Sequence, residues 1–226
     1  MHLLGLQRLT LLDYPGQIAC TVFTGGCNLR CPFCHNSSLV YSEGEVIPTE
    51  DFFAFLDSRV GRLEGVCVSG GEPTLWQDLP EFLKKIKEKG FLVKLDTNGT
   101  KPEVIEGLIS SGLVDYIAMD IKNSPEKYAL TVGDLDFDYT SVMHSIEIIE
   151  NSSVPHEFRT TVTAELHSPE DIRRICANLH RDTKYYIQAY RDEGDILKKG
   201  HTAPTKDELE ALLLAAREFL PGAEIR

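Results

Sequence analysis

Short apolar runs alternate along the chain with stretches whose apolar residues recur every three or four positions, which predicts repeated strand–helix units around a parallel sheet. The runs predict strands over residues 18–23, 65–69, 91–96, 116–120, 157–162 and 184–188. Between and after them, four sets carry the spacing of a buried helical face: Phe82, Leu83 and Ile86; Val104, Ile105, Leu108 and Ile109; Val142, Ile146 and Ile149; Leu209, Leu212, Leu213 and Ala216. Thr49, Ser124, Ser168 and Thr205 are predicted helix caps, with Pro125 and Pro169 as first helical residues. Ser168 with Asp171, and Thr205 with Glu208, have capping-box spacing. Residues 194–205 read as a flexible loop before the last helix. Six units are too few to close an eight-stranded barrel, so the expected fold class is α/β, an open partial (βα)6 TIM-like barrel forming a single domain over residues 1–226. The reactive end of such a sheet lies at the carboxyl ends of its strands.

The unusual polar motifs fall where predicted strands stop. Cys27, Cys31 and Cys34, in C-N-L-R-C-P-F-C, follow the first strand; Gly70-Gly71-Glu72-Pro73 follows the second. Asp96-Thr97-Asn98-Gly99 follows the third, and Asp120-Ile121-Lys122 the fourth. Three thiolates do not complete an ordinary four-ligand zinc site or an electron-transfer [4Fe–4S] centre. Their spacing lets each reach a separate iron of one cubane and leaves the fourth iron open for a substrate or cofactor. A zinc knuckle completed by His35 is the competing reading. Cys20, Cys67 and Cys176 are scattered in apolar contexts and read as small buried hydrophobes.

Composition narrows the setting. With 42% hydrophobic residues a substantial core is expected. A net charge of −12 argues against nucleic-acid or anionic-membrane partners. Clustered unpaired cysteines point to reduced metal chemistry in the cytoplasm rather than a disulfide framework. The N-terminal residues lack a basic leader followed by an apolar core, and no run approaches a membrane span.

The stretch from Thr24 to Asn36, T-G-G-C-N-L-R-C-P-F-C-H-N, preceded by Asp13-Tyr14-Pro15-Gly16, resembles the radical S-adenosylmethionine (SAM) superfamily and within it the glycyl-radical-enzyme activating proteins. It is most similar to those that activate anaerobic ribonucleoside-triphosphate reductase. The resemblance implies one [4Fe–4S] cluster on Cys27, Cys31 and Cys34, with SAM on the open iron. The reduced cluster would split SAM into methionine and a 5′-deoxyadenosyl radical, which would take hydrogen from a glycine of the partner enzyme. It implies SAM contacts from Gly70, Gly71 and Glu72, and from Asn98, Lys122 and Arg159. Asp96, Thr97, Asp120 and the Ala118 carbonyl are the implied ligands of a monovalent cation, since two adjacent carboxylates need positive charge between them. Phe33 packs the cluster or adenine, Asp13 receives the substrate glycine loop, and Gln188 contacts SAM or substrate on the same grounds. Flavodoxin or ferredoxin is the implied reductant.

Two departures qualify the resemblance. No cysteine-rich insert lies between Cys34 and Cys67, so auxiliary clusters are not expected, and the chain is longer than the compact reductase activases. Two further readings stand beside the activase: a radical SAM enzyme acting on a small molecule, and a non-catalytic iron–sulfur or zinc-binding protein.

Overall fold

A computed structural model of the protein describes residues 1–192 and 194–226. All six predicted strands form, with ends moved by at most a residue: β2 (Ala19–Thr24), β3 (Gly65–Gly70), β4 (Leu92–Thr97), β5 (Tyr116–Asp120), β6 (His156–Val162) and β7 (Tyr185–Ala189). Two edge strands are additional, β1 (Leu3–Thr10) and the two-residue β8 (Glu224–Ile225). The strands order sequentially from β1 to β8; β1 pairs antiparallel with β2 and every other neighbouring pair is parallel. The sheet curls without closing: among the described residues β8 does not pair with β1. This is the open partial-barrel α/β fold that six strand–helix units require.

Strand residues alternate between two faces, and the two differ in chemistry. One face carries Val22, Val66, Val68, Val93, Leu95, Ile117, Met119, Phe158 and Ile187 into the main apolar core. There they meet helix residues such as Leu83 and Ile86 of α3 (Leu79–Glu88), Ile105 of α4 (Pro102–Ser110) and Ile146 of α6 (Thr140–Glu150). The opposite face carries Thr21, Cys67, Lys94, Asp96, Asp120, Glu157 and Arg159 toward the interior of the curl. Near the amino ends of the strands, Tyr14, Ala19 and Tyr116 form a small separate apolar cluster.

Helix starts follow local chemistry only in part. Ser168 and Thr205 form complete capping boxes with Asp171 and Glu208, at the starts of α7 (Pro169–Cys176) and α8 (Lys206–Arg217). Ser124 stands at the start of α5 (Pro125–Val132), but its hydroxyl donates to Asp171 at 3.1 Å instead of capping. Thr49 is the first residue inside α2 (Thr49–Asp57), with Pro48 before it. Cys20 and Cys176 are core residues, as expected. Cys67 differs: it is buried on the polar interior face, with the Lys94 ammonium 3.8 Å from its sulfur.

Segment 194–205 is no free loop. Its backbone is tied to the cysteine loop by Leu197 N–H donating to the Cys34 carbonyl at 3.0 Å and Lys198 N–H to the Pro32 carbonyl at 2.9 Å. The Asp195 carboxylate holds Ser37 and Ser38 at the start of the short helix α1 (Ser37–Val40).

Candidate active site

At the carboxyl ends of β2 to β7 the strand-end motifs line one cavity of about 280 Å³, close to the lower end of the range for small-molecule sites. Cys27, Cys31, Cys34 and Phe33 form one side; Gly70, Gly71, Glu72, Asp96, Thr97, Asn98, Asp120, Lys122, Arg159 and Gln188 line the remainder. Asp13 stands apart. Its carboxylate accepts from the Thr21 hydroxyl at 2.5 Å, low in β2, because the Asp13–Gly16 turn packs under the amino ends of the strands.

The cysteine loop is held from several directions. Gly26 N–H donates to the Leu39 carbonyl at 2.7 Å, Arg30 N–H to the Val132 carbonyl at 2.9 Å, and the Trp76 indole to the Gly25 carbonyl at 2.9 Å. Phe33 is buried edge-on between His167 and His201, with ring centroids 6.2 and 6.1 Å away. Cys31 is buried, and burial pushes its thiol up to about 12 against the lowering pull of the Lys122 ammonium. Burial also raises the Cys27 thiol. Metal loading must therefore displace protons from these thiols.

Among the described residues, no three His, Cys, Asp or Glu side chains converge as a single-ion site. Three thiols spaced around one cavity instead suit a cluster with several metal corners, so the donor set fits a [4Fe–4S] group with one open corner. Replacing His35 by alanine is accordingly expected to leave the iron content of reconstituted protein unchanged. Iron and sulfide assays check this.

The Gly70–Gly71 turn brings backbone against backbone. Gly70 has φ of +120°, and a Cβ on Gly71 would be driven into the Gly26 carbonyl beside Cys27. Glu72 then locks this turn to the next. Fully buried, its carboxylate accepts from the Thr74 N–H and hydroxyl at 3.1 and 2.5 Å, the Thr97 hydroxyl at 2.7 Å and the Asn98 N–H at 2.6 Å. Burial raises the Glu72 carboxyl, against the lowering effect of these four donors. Glu72→Ala would leave them buried without an acceptor. The expected cost is about 2–4 kcal/mol, read from urea melts of metal-free protein, with Glu72→Gln intermediate.

Strand register explains the charged centre. Asp120 of β5 is level with Arg159 of β6 and shares its face. Arg159 Nε donates to Asp120 at 2.8 Å, and its Nη2 lies 3.6 Å from Asp96. Lys122 pairs with Asp120 at 3.1 Å; Lys94, almost completely buried, pairs with Asp96, which also accepts from Ser69 at 3.0 Å. Arg159 thus bridges both strand-end carboxylates, and Lys94 and Lys122 pair with one each. Thr97 is turned out of this group: its hydroxyl donates to Glu72 and accepts from the Gly99 N–H.

Burial alone would raise both carboxyls, but Arg159 first, with Lys94 at Asp96 and Lys122 at Asp120, holds them below the ordinary range. A depressed folded value stabilises the fold above the unfolded value, about pH 4, and that contribution is lost as pH falls through the folded value. Stability of the wild type is thus expected to fall more steeply below about pH 4 than that of Asp120→Asn, in urea melts across pH.

Lys94, Ser69 and Thr74 escaped the sequence reading. Lys94 had a detectable signal, as a charged residue at the centre of an apolar strand run.

The comparisons with known proteins agree with this geometry. The family model described as the Radical SAM superfamily matches residues 21–164. Over 98% of this chain and 94% of its own length, a Methanocaldococcus jannaschii protein named as a candidate glycyl-radical enzyme activating enzyme is 34% identical. A pyruvate formate-lyase-activating enzyme of Clostridium pasteurianum is 29% identical, covering 79% of this chain and 76% of its own. The structure of Streptococcus suis SuiB bound to S-adenosylmethionine superposes with a TM-score of 0.65 at 16% identity, covering 90% of this chain and 48% of that one, a likeness of fold alone. Enzymes of this family use a [4Fe–4S] cluster and SAM. With its three-cysteine loop, glycine turn and open sheet, the chain belongs to the radical SAM superfamily.

Proposed function

We propose that this enzyme is an activase that removes a hydrogen atom from a glycine of a partner glycyl radical enzyme, the partner being an anaerobic ribonucleoside-triphosphate reductase. Two kinds of support meet here. Three cysteines on one loop face a cavity whose wall includes glycine backbone and charged groups of both signs, which suits a zwitterionic cofactor. The observation that carries the protein substrate is the near full-length match to the Methanocaldococcus relative.

When bound, the cluster and SAM supply the electron transfer and the carbon-centred radical. The chain supplies position and exclusion. Cys27, Cys31 and Cys34 would hold the cluster. Gly70, Gly71 and Asn98 would offer backbone and amide groups to the methionine portion, and Lys122 with Arg159 would meet its carboxylate. Phe33 and Gln188 would bound the remainder of the pocket. Asp13, near the amino ends of the strands on the interior face, stands away from this pocket and is assigned no part in it. The cavity's aromatic and aliphatic members, Phe23, Leu29, Phe33 and Val40, limit water around the reacting atoms. A reducing cytoplasm suits such thiols, and flavodoxin or ferredoxin would deliver the electron.

The test is to incubate reduced, reconstituted protein and SAM anaerobically with an anaerobic ribonucleotide reductase. A glycine-centred doublet in the electron paramagnetic resonance spectrum is expected. SAM cleavage with no doublet on that reductase, but one on another glycyl radical protein, would replace the partner; turnover of a metabolite with no doublet on any would replace the reaction.

A further inference from the structure

His167 joins three parts of the site without lining its cavity. It is buried, and backbone groups engage both nitrogens of its ring. Nδ1 accepts from the Thr163 N–H at 3.1 Å, just beyond the carboxyl end of β6, so this nitrogen carries no proton. Nε2 lies 2.9 Å from the Lys122 carbonyl, which can only accept, so Nε2 carries the proton and donates it. A single neutral tautomer therefore satisfies both partners. The ring also meets Phe33 edge-on, and Phe33 directly precedes Cys34.

The base of this contact is itself fixed. His167 precedes Ser168, the cap of α7, whose N–H donates to Asp171 at 2.8 Å; Asp171 in turn pairs with Lys127 of α5 at 2.6 Å. At the far end, two successive carbonyls beyond β5 are held from the β6 side. That of Ile121 accepts from the Thr160 hydroxyl at 2.8 Å, and that of Lys122 accepts from His167. The second bond acts on the residue whose ammonium pairs with Asp120 and exerts a lowering pull on the Cys31 thiol. A lysine is a point charge on a long flexible stem, so its location is set by a partner at the tip and by the backbone at the root. Asp120 supplies the first and His167 the second.

We propose that His167 is a positioning residue for SAM: by donating to the Lys122 carbonyl and packing on Phe33, it fixes the root of Lys122 relative to the cysteine loop, so that the ammonium meets the SAM carboxylate. The proposal rests on the reading that Lys122 meets that carboxylate. His167 transfers no proton in this role and acts through Lys122.

The experiment uses reconstituted holoprotein of the wild type, His167→Phe, His167→Gln, Lys122→Met and the pair His167→Phe/Lys122→Met. Phenylalanine keeps an aromatic ring against Phe33 and removes both backbone bonds; glutamine keeps an amide donor at the level of Nε2. SAM affinity is measured by equilibrium dialysis, and SAM cleavage with dithionite as reductant gives KM and kcat. Iron content and urea melts report the integrity of each variant. His167→Phe is expected to bind SAM about tenfold more weakly and to raise KM by a similar factor, with kcat at saturating SAM within about threefold of wild type and iron content unchanged. His167→Gln is expected to recover most of the affinity. In the double variant, His167→Phe should weaken binding by less than about twofold beyond Lys122→Met alone, because Lys122 is the route by which it acts. Should His167→Phe not fold, His167→Asn takes its place, since asparagine keeps the acceptor for Thr163 and does not reach Lys122. The proposal is overturned if this variant binds SAM like wild type, if His167→Gln loses as much affinity while keeping its iron, or if the two losses multiply in the double variant. Wild-type affinity in Lys122→Met would overturn the reading of Lys122 and the proposal with it, whereas absence of SAM binding by the wild type would overturn the activase reading itself.

Discussion

Cys31→Ala is expected to reduce 5′-deoxyadenosine formation by the anaerobically reconstituted, dithionite-reduced protein to background. Of the three cysteines, Cys31 is the most buried, 7% exposed, and Lys122 acts on it electrostatically. Two thiolates cannot retain a cubane that needs three protein corners, and His35, the neighbouring donor, is exposed on a loop held in place by backbone bonds from segment 194–205 to Pro32 and Cys34 and from Arg30 to Val132. The loss should therefore appear in iron content and visible absorbance as well as in turnover. Cys176→Ala is the control. Its thiol reaches from the end of α7 into the apolar core, so the variant should lose about 1 kcal/mol of stability yet keep its iron and activity. Equal turnover of SAM by wild type and Cys31→Ala would remove the enzymatic account.

The second large effect is expected at Arg159. Leucine there would leave Asp96 and Asp120, with side chains only 16% and 27% exposed, without the guanidinium that bridges them. Lys94 and Lys122 would still pair with one carboxylate each, but neither spans both. Removing one partner from a largely buried ionic group typically costs about 3–5 kcal/mol, because the remaining charge stays desolvated. Partial exposure of Asp120 places the expectation at about 3 kcal/mol in urea melts. SAM affinity, measured by equilibrium dialysis on the reconstituted protein, should fall at least tenfold. Arg159→Lys should recover part of the stability and little of the bridging, since an ammonium lacks the planar fork. Unchanged stability and affinity in Arg159→Leu would show that the charged centre is not organised by this residue.

Much of the site was legible because parallel sheets put unlike tasks on alternate residues and collect strand ends at one rim. Apolar runs marked the strands, and each chemical motif began where a run stopped, so cysteines, glycines and acidic residues distant in sequence converge on one cavity. Side-chain bonding was not legible. Glu72 reads as the tail of a glycine turn, yet its carboxylate joins two turns through contacts with residues two and twenty-five or more positions away. The Arg159 bridge depends on strand register, which fixes Asp120 and Arg159 on one level and one face but is not encoded in either segment alone. Strand β1 was missed because an edge strand with one wet face has no continuous apolar run, and its Gln7-Arg8 pair breaks the alternation. The strap at 194–205 reads as a loop by its glycines and charges; its order comes from backbone bonds to the cysteine loop.

The central claim is that three cysteines leave one metal corner free for SAM. The most direct measurement is the electron paramagnetic resonance spectrum of the reduced, reconstituted protein, recorded before and after adding SAM labelled with 17O in its carboxylate. The account predicts a changed cluster spectrum with hyperfine coupling to the label. An unchanged spectrum without coupling, from a cluster bound by four donors of the protein, would contradict it.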